Sequence, residues 1–128
     1  MSAANLLAVA LGGSLGSVAR YLVSIGAGRL IDAPFPSGTL IINIAGSFLM
    51  GLLVEAFALK WNASEPVRVF LLIGFCGGFT TFSTFSFDAV NLMERGAALP
   101  AFTYILASVT LSIAALYAGL HLMRALLA

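Results

Sequence analysis

Two series of polar residues recur at steps of four inside apolar sequence, and both are rich in hydrogen-bond donors. The first series is Thr39, Asn43 and Ser47, and the second is Tyr104, Ser108 and Ser112. A step of four places side chains on one face of an α-helix. Amide and hydroxyl donors without carboxylates beside them suit an anion better than a cation. The spacing therefore predicts two helix faces that can line a path for an anion.

The same residue types have a second interpretation, which is helix packing. Small and hydroxylated side chains are the usual contacts between membrane helices. Gly12 with Gly16, and Gly74 with Gly78, have the small-xxx-small spacing of such contacts. Packing is the favoured interpretation for any single serine or glycine. A polar path is favoured for the two series, because the donors of an asparagine and a tyrosine need partners in an apolar environment.

The stretch "GFCGGFTTFSTFSFD", residues 74–88, favours an interruption of its own helix. Gly77 and Gly78 favour unwinding, because glycine is a weak helix former. Thr80 and Thr81 follow, and their hydroxyls can bond freed backbone groups. An interrupted membrane helix is tolerated where protein buries it or where it lines a polar cavity. Its freed carbonyl oxygens suit a small cation such as Na⁺; a kink that contains water is the alternative.

Phe82 and Phe85 lie three residues apart after this interruption. Core packing is the default role of a membrane phenylalanine. The ring edge is electropositive, however, so two ring edges beside a polar track can also hold a partly dehydrated anion. These rings alternate with four hydroxyl side chains, at Thr81, Ser83, Thr84 and Ser86. At least one face of this helix is therefore not lipid-facing.

The elements that must position these residues are apolar helices. The 128 residues are 61% hydrophobic and 9% charged. Four apolar stretches cover residues 4–26, 37–59, 68–93 and 100–122, each near the ~20 residues that a helix needs to cross a bilayer. The sequence predicts an all-α membrane protein, a single transmembrane domain over residues 1–128, with four transmembrane helices and the third broken at mid-membrane.

The charges of the connections give almost no orientation bias. One face carries Lys60, Arg68 and Arg124, and the other carries Arg29, Arg95 and, at the end of the first span, Arg20. Two alternatives stay open: a minor bias that sets one orientation, or an antiparallel homodimer of oppositely inserted copies. Four short helices hardly enclose a polar path alone, which favours an oligomer. The chain has no basic patch for nucleic acid.

Charged side chains within the spans are few, and their positions exclude several functions. Glu55 and His121 lie near span ends, and Asp88 lies in the second half of the third span, so a central proton relay is not predicted. Arg20 has three interpretations: it snorkels to the interface, concentrates anions at a pore mouth, or pairs with Asp88.

Cys76 is the single cysteine, and no nucleophile–base pair or metal cluster predicts an enzyme.

Two other functions compete with a passive pore. A small multidrug exporter needs a carboxylate in its first span, and residues 1–26 contain no Asp or Glu. A non-conducting scaffold subunit would use the polar series only to hold helices together. The residues favour an anion pore over both, but they do not choose between fluoride and chloride.

Three segments resemble the Fluc (CrcB) fluoride channels of microorganisms. They are "GGSLGSVARY" at 12–21, "GTLIINIAGSFLMG" at 38–51 and "GFCGGFTTFSTFS" at 74–86. The resemblance covers the whole chain. It implies a dual-topology homodimer in the cell inner membrane, with two antiparallel pores that export fluoride from the cytoplasm without coupling to another energy source.

The resemblance also implies roles for single residues. Asn43 would donate to fluoride or orient a ring, and the edges of Phe82 and Phe85 would line the ion path. The remaining pore residues would be the hydroxyl-bearing Thr39, Tyr104, Ser108 and Ser112. A structural Na⁺ at the dimer two-fold axis would take the backbone carbonyls of Gly77 and Thr80 from each subunit. Arg20 would lie near a vestibule.

Overall fold

The fold is helical and contains four helices long and apolar enough to cross a membrane. A computed structural model describes residues 1–31 and 34–128, and no strand occurs within these ranges. The four helices are Ala3–Leu30, Ser37–Leu59, Glu65–Glu94 and Ala98–Leu127. The predicted number of spans and the all-α class are confirmed.

The third span consists of several helical segments. They are α3 (Glu65–Arg68), a π-helical segment (Val69–Cys76), α4 (Gly77–Phe79) and α5 (Phe82–Glu94). The uninterrupted spans are α1 (Ala3–Leu30), α2 (Ser37–Leu59) and α6 (Ala98–Leu127). α2 has the predicted bounds, and the other spans begin earlier or end later than predicted. Pro66 and Pro100 lie in the first turns of their helices, where the missing N–H of proline is not needed.

The backbone of the third span is extended at two threonines. Thr80 has φ −80° and ψ 157°, and Thr81 has φ −151° and ψ 118°. The prediction that Gly77 and Gly78 unwind was wrong, because both lie in the helical segment Gly77–Phe79. A Cβ built at Gly78 would overlap the Gly13 carbonyl oxygen of α1. Gly78 therefore serves close helix packing rather than unwinding.

Glycines let two pairs of helices approach until their backbones touch. Between α1 and the third span, a Cβ at Gly12 would overlap the carbonyl oxygen of Phe70. Between α2 and α6, a Cβ at Gly51 would overlap the carbonyl oxygen of Leu116, and one at Gly119 that of Phe48. The packing interpretation of the Gly12 and Gly74 spacings is confirmed. These contacts fix α2 against α6, which carry the two polar series.

Polar contacts join the helix ends on one face of the bundle. The Arg124 Nε lies 2.7 Å from Glu55 Oε1, which links the last turn of α6 to the end of α2. Asn5 Nδ2 donates to Glu65 Oε1 at 2.7 Å, which links the start of α1 to α3. The antiparallel order of the helices brings these four ends together.

We expect Gly119→Ala to destabilise the protein by about 1–3 kcal/mol, because the new methyl group overpacks the crossing of α2 and α6. The measurement is the unfolding midpoint of purified protein in detergent. Gly28→Ala is the matched control, since a Cβ at Gly28 has no heavy atom within 4 Å. Equal midpoints for the two variants would show that the crossing tolerates a side chain.

Candidate functional site

A cavity of about 430 Å³ brings most of the predicted site residues together. Its walls come from α2, the extended threonines, α5 and α6. The predicted residues among its lining are Asn43, Thr80, Phe82, Phe85, Ser108 and Ser112. Of the described lining residues, none is charged. The remaining predicted residues, which are Arg20, Thr39, Gly77 and Tyr104, do not line this cavity.

Asn43 bonds both backbone groups of Thr81 across the bundle. Its Nδ2 donates to the Thr81 carbonyl oxygen at 3.0 Å, and its Oδ1 accepts from the Thr81 N–H at 2.8 Å. The Thr81 N–H would lack a helical partner because the backbone is extended here, whereas the Thr81 carbonyl, as that of the N-cap residue, also accepts the first bond of α5. The amide carries a second N–H hydrogen, so Asn43 can hold the backbone and still donate once into the cavity.

Thr81 also starts the helix that carries the two phenylalanines. Its Oγ1 accepts from the Thr84 backbone N–H at 3.2 Å, which is an N-cap contact. The same hydroxyl donates to the Thr84 hydroxyl at 3.1 Å and lies 3.3 Å from that of Ser83. The cap fixes where α5 begins and so where Phe82 and Phe85 point.

The two carbonyls predicted to hold Na⁺ lose their usual helical donors. In a continuous helix, the Gly77 carbonyl would accept from the N–H of Thr81, and the Thr80 carbonyl from that of Thr84. The Thr81 N–H donates to Asn43 instead, and the Thr84 N–H donates to the Thr81 hydroxyl. Gly77 is also exposed. This donor set of backbone oxygens is chemically suited to a hard cation such as Na⁺.

The two phenylalanine rings differ strongly in exposure. The Phe82 side chain is 77% exposed and the Phe85 side chain is 9% exposed. Their ring centroids are 5.4 Å apart, with planes tilted by 51°. Phe85 continues to Tyr104, at a centroid distance of 5.3 Å. Phe82 therefore lies at the open side of the cavity, and Phe85 belongs to its wall.

Ser108 and Ser112 carry the most unusual polar atoms of the site. The Oγ atoms of both residues are buried, and neither meets a partner with hydrogen-bond geometry in the described chain, although the Ser108 hydroxyl lies near that of Tyr104. Other hydroxyls on α6 bond the carbonyl four residues earlier, as Thr103 does with Leu99 and Thr110 with Leu106. Buried hydroxyls are normally satisfied. The two serines therefore present unused hydrogen-bonding capacity to the cavity.

Tyr104 lies at the end of the serine series and has an acidic partner. Its side chain is fully buried, and its hydroxyl donates to Asp88 Oδ2 at 3.0 Å. The predicted pair of Arg20 with Asp88 was wrong: within the ranges that the structure describes, the single ion pair is Glu55–Arg124. Asp88 is turned toward α6, where the tyrosine hydroxyl meets it.

Arg20 and Thr39 line a smaller cleft of about 200 Å³ between α1, α2 and α5. Thr39 is buried, whereas Arg20 is half-buried. Thr81 lines both this cleft and the main cavity, so the extended backbone separates the two spaces.

Sequence reasoning missed two features of the site, the Tyr104–Asp88 bond and a contact of Phe35 with Tyr104. The ring of Phe35 lies 5.5 Å from that of Tyr104 between centroids, with planes at 87°. The run Pro34-Phe35-Pro36 was a signal for a fixed aromatic side chain, since prolines restrict the backbone on both sides. Nothing in the spacing links it to α6, 69 residues away along the chain.

The fold and the cavity define a small multi-pass membrane protein with a cavity lined by hydrogen-bond donors and, among the described lining residues, no charged side chain. A family model described as "CrcB-like protein, Camphor Resistance (CrcB)" matches residues 7–120. The chain belongs to the CrcB family, as the three sequence segments predicted.

Curated relatives extend over nearly the whole chain. The fluoride-specific ion channel FluC 1 of Nitrobacter hamburgensis is 59% identical over 121 residues, which are 94% of this chain and 96% of the relative. The fluoride-specific ion channel FluC of Agrobacterium fabrum is 60% identical over 121 residues, with the same coverage. That of Nitrobacter winogradskyi is 52% identical over 119 residues, 93% of this chain and 94% of the relative. The family is one of ion channels and not of enzymes.

We expect Asn43→Ala to lower the free energy of unfolding by roughly 1–3 kcal/mol, because it leaves the buried N–H of Thr81 without a partner. The measurement is the thermal unfolding midpoint in detergent. Ser14→Ala is the control, because the Ser14 hydroxyl is exposed and bonds only its own helix, at Ala10. A midpoint equal to that of the control would show that water or another side chain replaces Asn43.

Proposed function

We propose that the chain forms a passive, fluoride-selective ion channel that exports fluoride from the cytoplasm across the cell inner membrane and so confers fluoride resistance. One observation carries the anion assignment: the buried hydroxyls of Ser108 and Ser112 lack partners and face the same cavity as Phe82 and Phe85. An anion that enters this cavity meets free donors. Fluoride is chosen over chloride because the relatives are named fluoride-specific ion channels.

The charge of the cavity supports a passive anion path. A carboxylate in the path would repel fluoride, and a lysine or arginine at close range would hold it. The described lining contains neither. Neutral donors and ring edges bind an anion weakly enough to release it, which conduction requires. Among the described residues that line the main cavity, none has a titratable side chain that could couple ion movement to protons.

The exposed face of α5 supports an antiparallel homodimer. Ser83 and Thr84 are exposed beside Phe82, so this face would place hydroxyls and an aromatic ring in lipid if the chain stood alone. A second copy provides a protein surface for them. The nearly balanced charges of the two membrane faces suit a partner inserted in the opposite direction. Two such copies give two antiparallel pores.

Each pore residue then has a physical task. Ser112 and Ser108 donate to the ion in turn, while Asn43 donates with its second N–H. Ring edges of Phe82 and Phe85 replace part of the hydration shell at mid-membrane, where the third helix is broken. Tyr104 and Thr39 continue the hydroxyl track, and Arg20 raises the anion concentration in the vestibule.

We also propose a structural Na⁺ on the dimer axis. The freed carbonyls of Gly77 and Thr80 from both copies would supply four hard oxygen ligands, and the ion would supply positive charge that offsets their dipoles. The support lies in the backbone. The N–H donors that would normally occupy these two carbonyls bond Asn43 and the Thr81 hydroxyl.

The first test is ion release from liposomes that contain the purified protein, with a potassium ionophore to clamp the membrane potential. We expect fast fluoride efflux and no chloride efflux. Equal fluxes would contradict fluoride selectivity, and the absence of both fluxes from dimeric protein would favour a scaffold subunit.

In the same assay, Phe82→Ile and Phe85→Ile should leave a folded dimer with little or no fluoride efflux, because an aliphatic side chain has no electropositive edge. Phe102→Ile is the control, since Phe102 is 64% exposed on α6 and does not line the cavity. Wild-type efflux from both test variants would show that the rings only pack.

Removal of sodium should weaken the dimer, because four carbonyl dipoles would then face one another without a cation. We expect a lower dimer dissociation midpoint in buffer with N-methylglucamine than in sodium buffer.

Gly77→Val should fold, because the nearest heavy atom to a Cβ at Gly77 is the Leu72 carbonyl oxygen at 4.0 Å. The variant should fail to dimerise, because the valine side chain would lie beside the proposed ion site on the dimer axis. Dimers of unchanged stability after sodium removal and in the Gly77→Val variant would contradict the proposed ion site.

A further inference from the structure

Phe35 is held rigidly at the start of α2. Pro36 precedes the helix as its N-cap residue, with φ −77° and ψ 63°. Proline fixes its own φ and restricts the residue before it. The Ser37 N–H donates to the Phe35 carbonyl at 2.8 Å, which closes a tight turn around the proline. The backbone therefore gives this ring little freedom of position.

The Phe35 ring completes a row of four aromatic rings. Successive centroids lie 5.4 Å apart from Phe82 to Phe85, 5.3 Å from Phe85 to Tyr104 and 5.5 Å from Tyr104 to Phe35. The last contact is edge-to-face, with an angle of 87°. The first ring stands at the open side of the main cavity, and the last ring stands at the connection between the first two spans.

The row runs through solid protein between two spaces. Phe85 and Ser108 line the main cavity, and the Phe85 ring contacts Tyr104. Beyond Tyr104, an outer cavity of about 330 Å³ is lined by Phe35, Thr39 and Asp88, among others. Tyr104 lines neither space and is fully buried. Tyr104 therefore separates the series of hydroxyls from the outer cavity. Two side chains of the outer cavity contact it, Phe35 at its ring and Asp88 at its hydroxyl.

Building on the proposed channel function, we propose that Phe35 forms the constriction between the hydroxyl track and the outer cavity. Its ring excludes water from the Tyr104 side of the track and so keeps this part of the path dry. It is a specificity-determining residue, because a dry constriction admits only an ion whose dehydration the nearby donors offset. The outer cavity is the mouth through which the ion reaches water. Its carboxylate, Asp88, accepts the Tyr104 hydroxyl, and the salt and water of an open mouth screen the remaining charge.

The consequence of removing the ring follows from the two cavities. Phe35→Ala joins the outer cavity to the track and lets water reach Tyr104. We expect fluoride efflux to rise by at least about threefold and chloride efflux to become measurable, because the dehydrated part of the path shortens. Phe35→Trp keeps an aromatic cover and should retain the wild-type exclusion of chloride.

The experiment measures fluoride and chloride efflux from liposomes for wild type, Phe35→Ala, Phe35→Leu and Phe35→Trp. Phe87→Ala is the matched control, because Phe87 is 68% exposed and lines none of these spaces. Dimer content is measured by size exclusion before reconstitution. If Phe35→Ala does not assemble, Phe35→Leu takes its place, since leucine keeps most of the apolar contact but does not cover the Tyr104 ring.

The two ion readouts separate the possible outcomes. The constriction is supported if Phe35→Ala (or Phe35→Leu in its place) shows faster fluoride efflux and new chloride efflux, and Phe35→Trp shows neither. Unchanged or slower fluoride efflux from dimeric Phe35→Ala or Phe35→Leu overturns the constriction. The proposed channel function is judged separately, by the fluoride efflux of the wild type. A wild type that passes no fluoride overturns the proposed function and this inference together.

Discussion

The extended backbone of Thr80 and Thr81 within the third span depends on one polar contact, the double hydrogen bond between Asn43 and Thr81. A membrane interior supplies no water to extended backbone, so protein must bond its N–H and carbonyl groups. Asn43 bonds both. With the Thr81 backbone held, its hydroxyl caps α5, and the cap sets the direction of Phe82 and Phe85. Because the Thr81 N–H donates to Asn43, it is not available to the Gly77 carbonyl, which it would bond in a continuous helix. Asn43 thus connects the extended threonines, the two phenylalanine rings and the Gly77 carbonyl.

The two faces of α6 show how one membrane helix can carry both hydroxyls that bond their own helix and hydroxyls without a partner. Thr103 and Thr110 are exposed, and their hydroxyls donate to backbone carbonyls of the preceding turn. The hydroxyl oxygens of Ser108 and Ser112 are buried and make no such bond. A hydroxyl that faces lipid must bond its own helix, because nothing else is available. A hydroxyl in a cavity can remain without a protein partner, at a cost in stability.

Much of this arrangement could be predicted from sequence, and the failures have physical causes. Four spans and the all-α class follow from hydropathy alone, and the steps of four place Asn43, Ser108 and Ser112 on faces that do share a cavity. Gly77 and Gly78 were wrongly expected to unwind, since intrinsic propensity does not show that Gly78 is needed against Gly13. The pairing of Arg20 with Asp88 was wrong because similar depth does not fix direction, and Asp88 turns toward Tyr104.

By itself the sequence determined that the protein lies in a lipid bilayer, that it has four spans, and that two helix faces are rich in hydrogen-bond donors. These properties depend on composition and on periodicity along one chain. Only the tertiary structure decided which donors are free. Whether the Ser108 hydroxyl is bonded, whether the Thr81 N–H meets Asn43, and whether Phe35 reaches Tyr104 depend on contacts between residues far apart in the chain. Such contacts form when glycines allow the helices to approach until their backbones touch. A local sequence pattern does not predict which residues then meet.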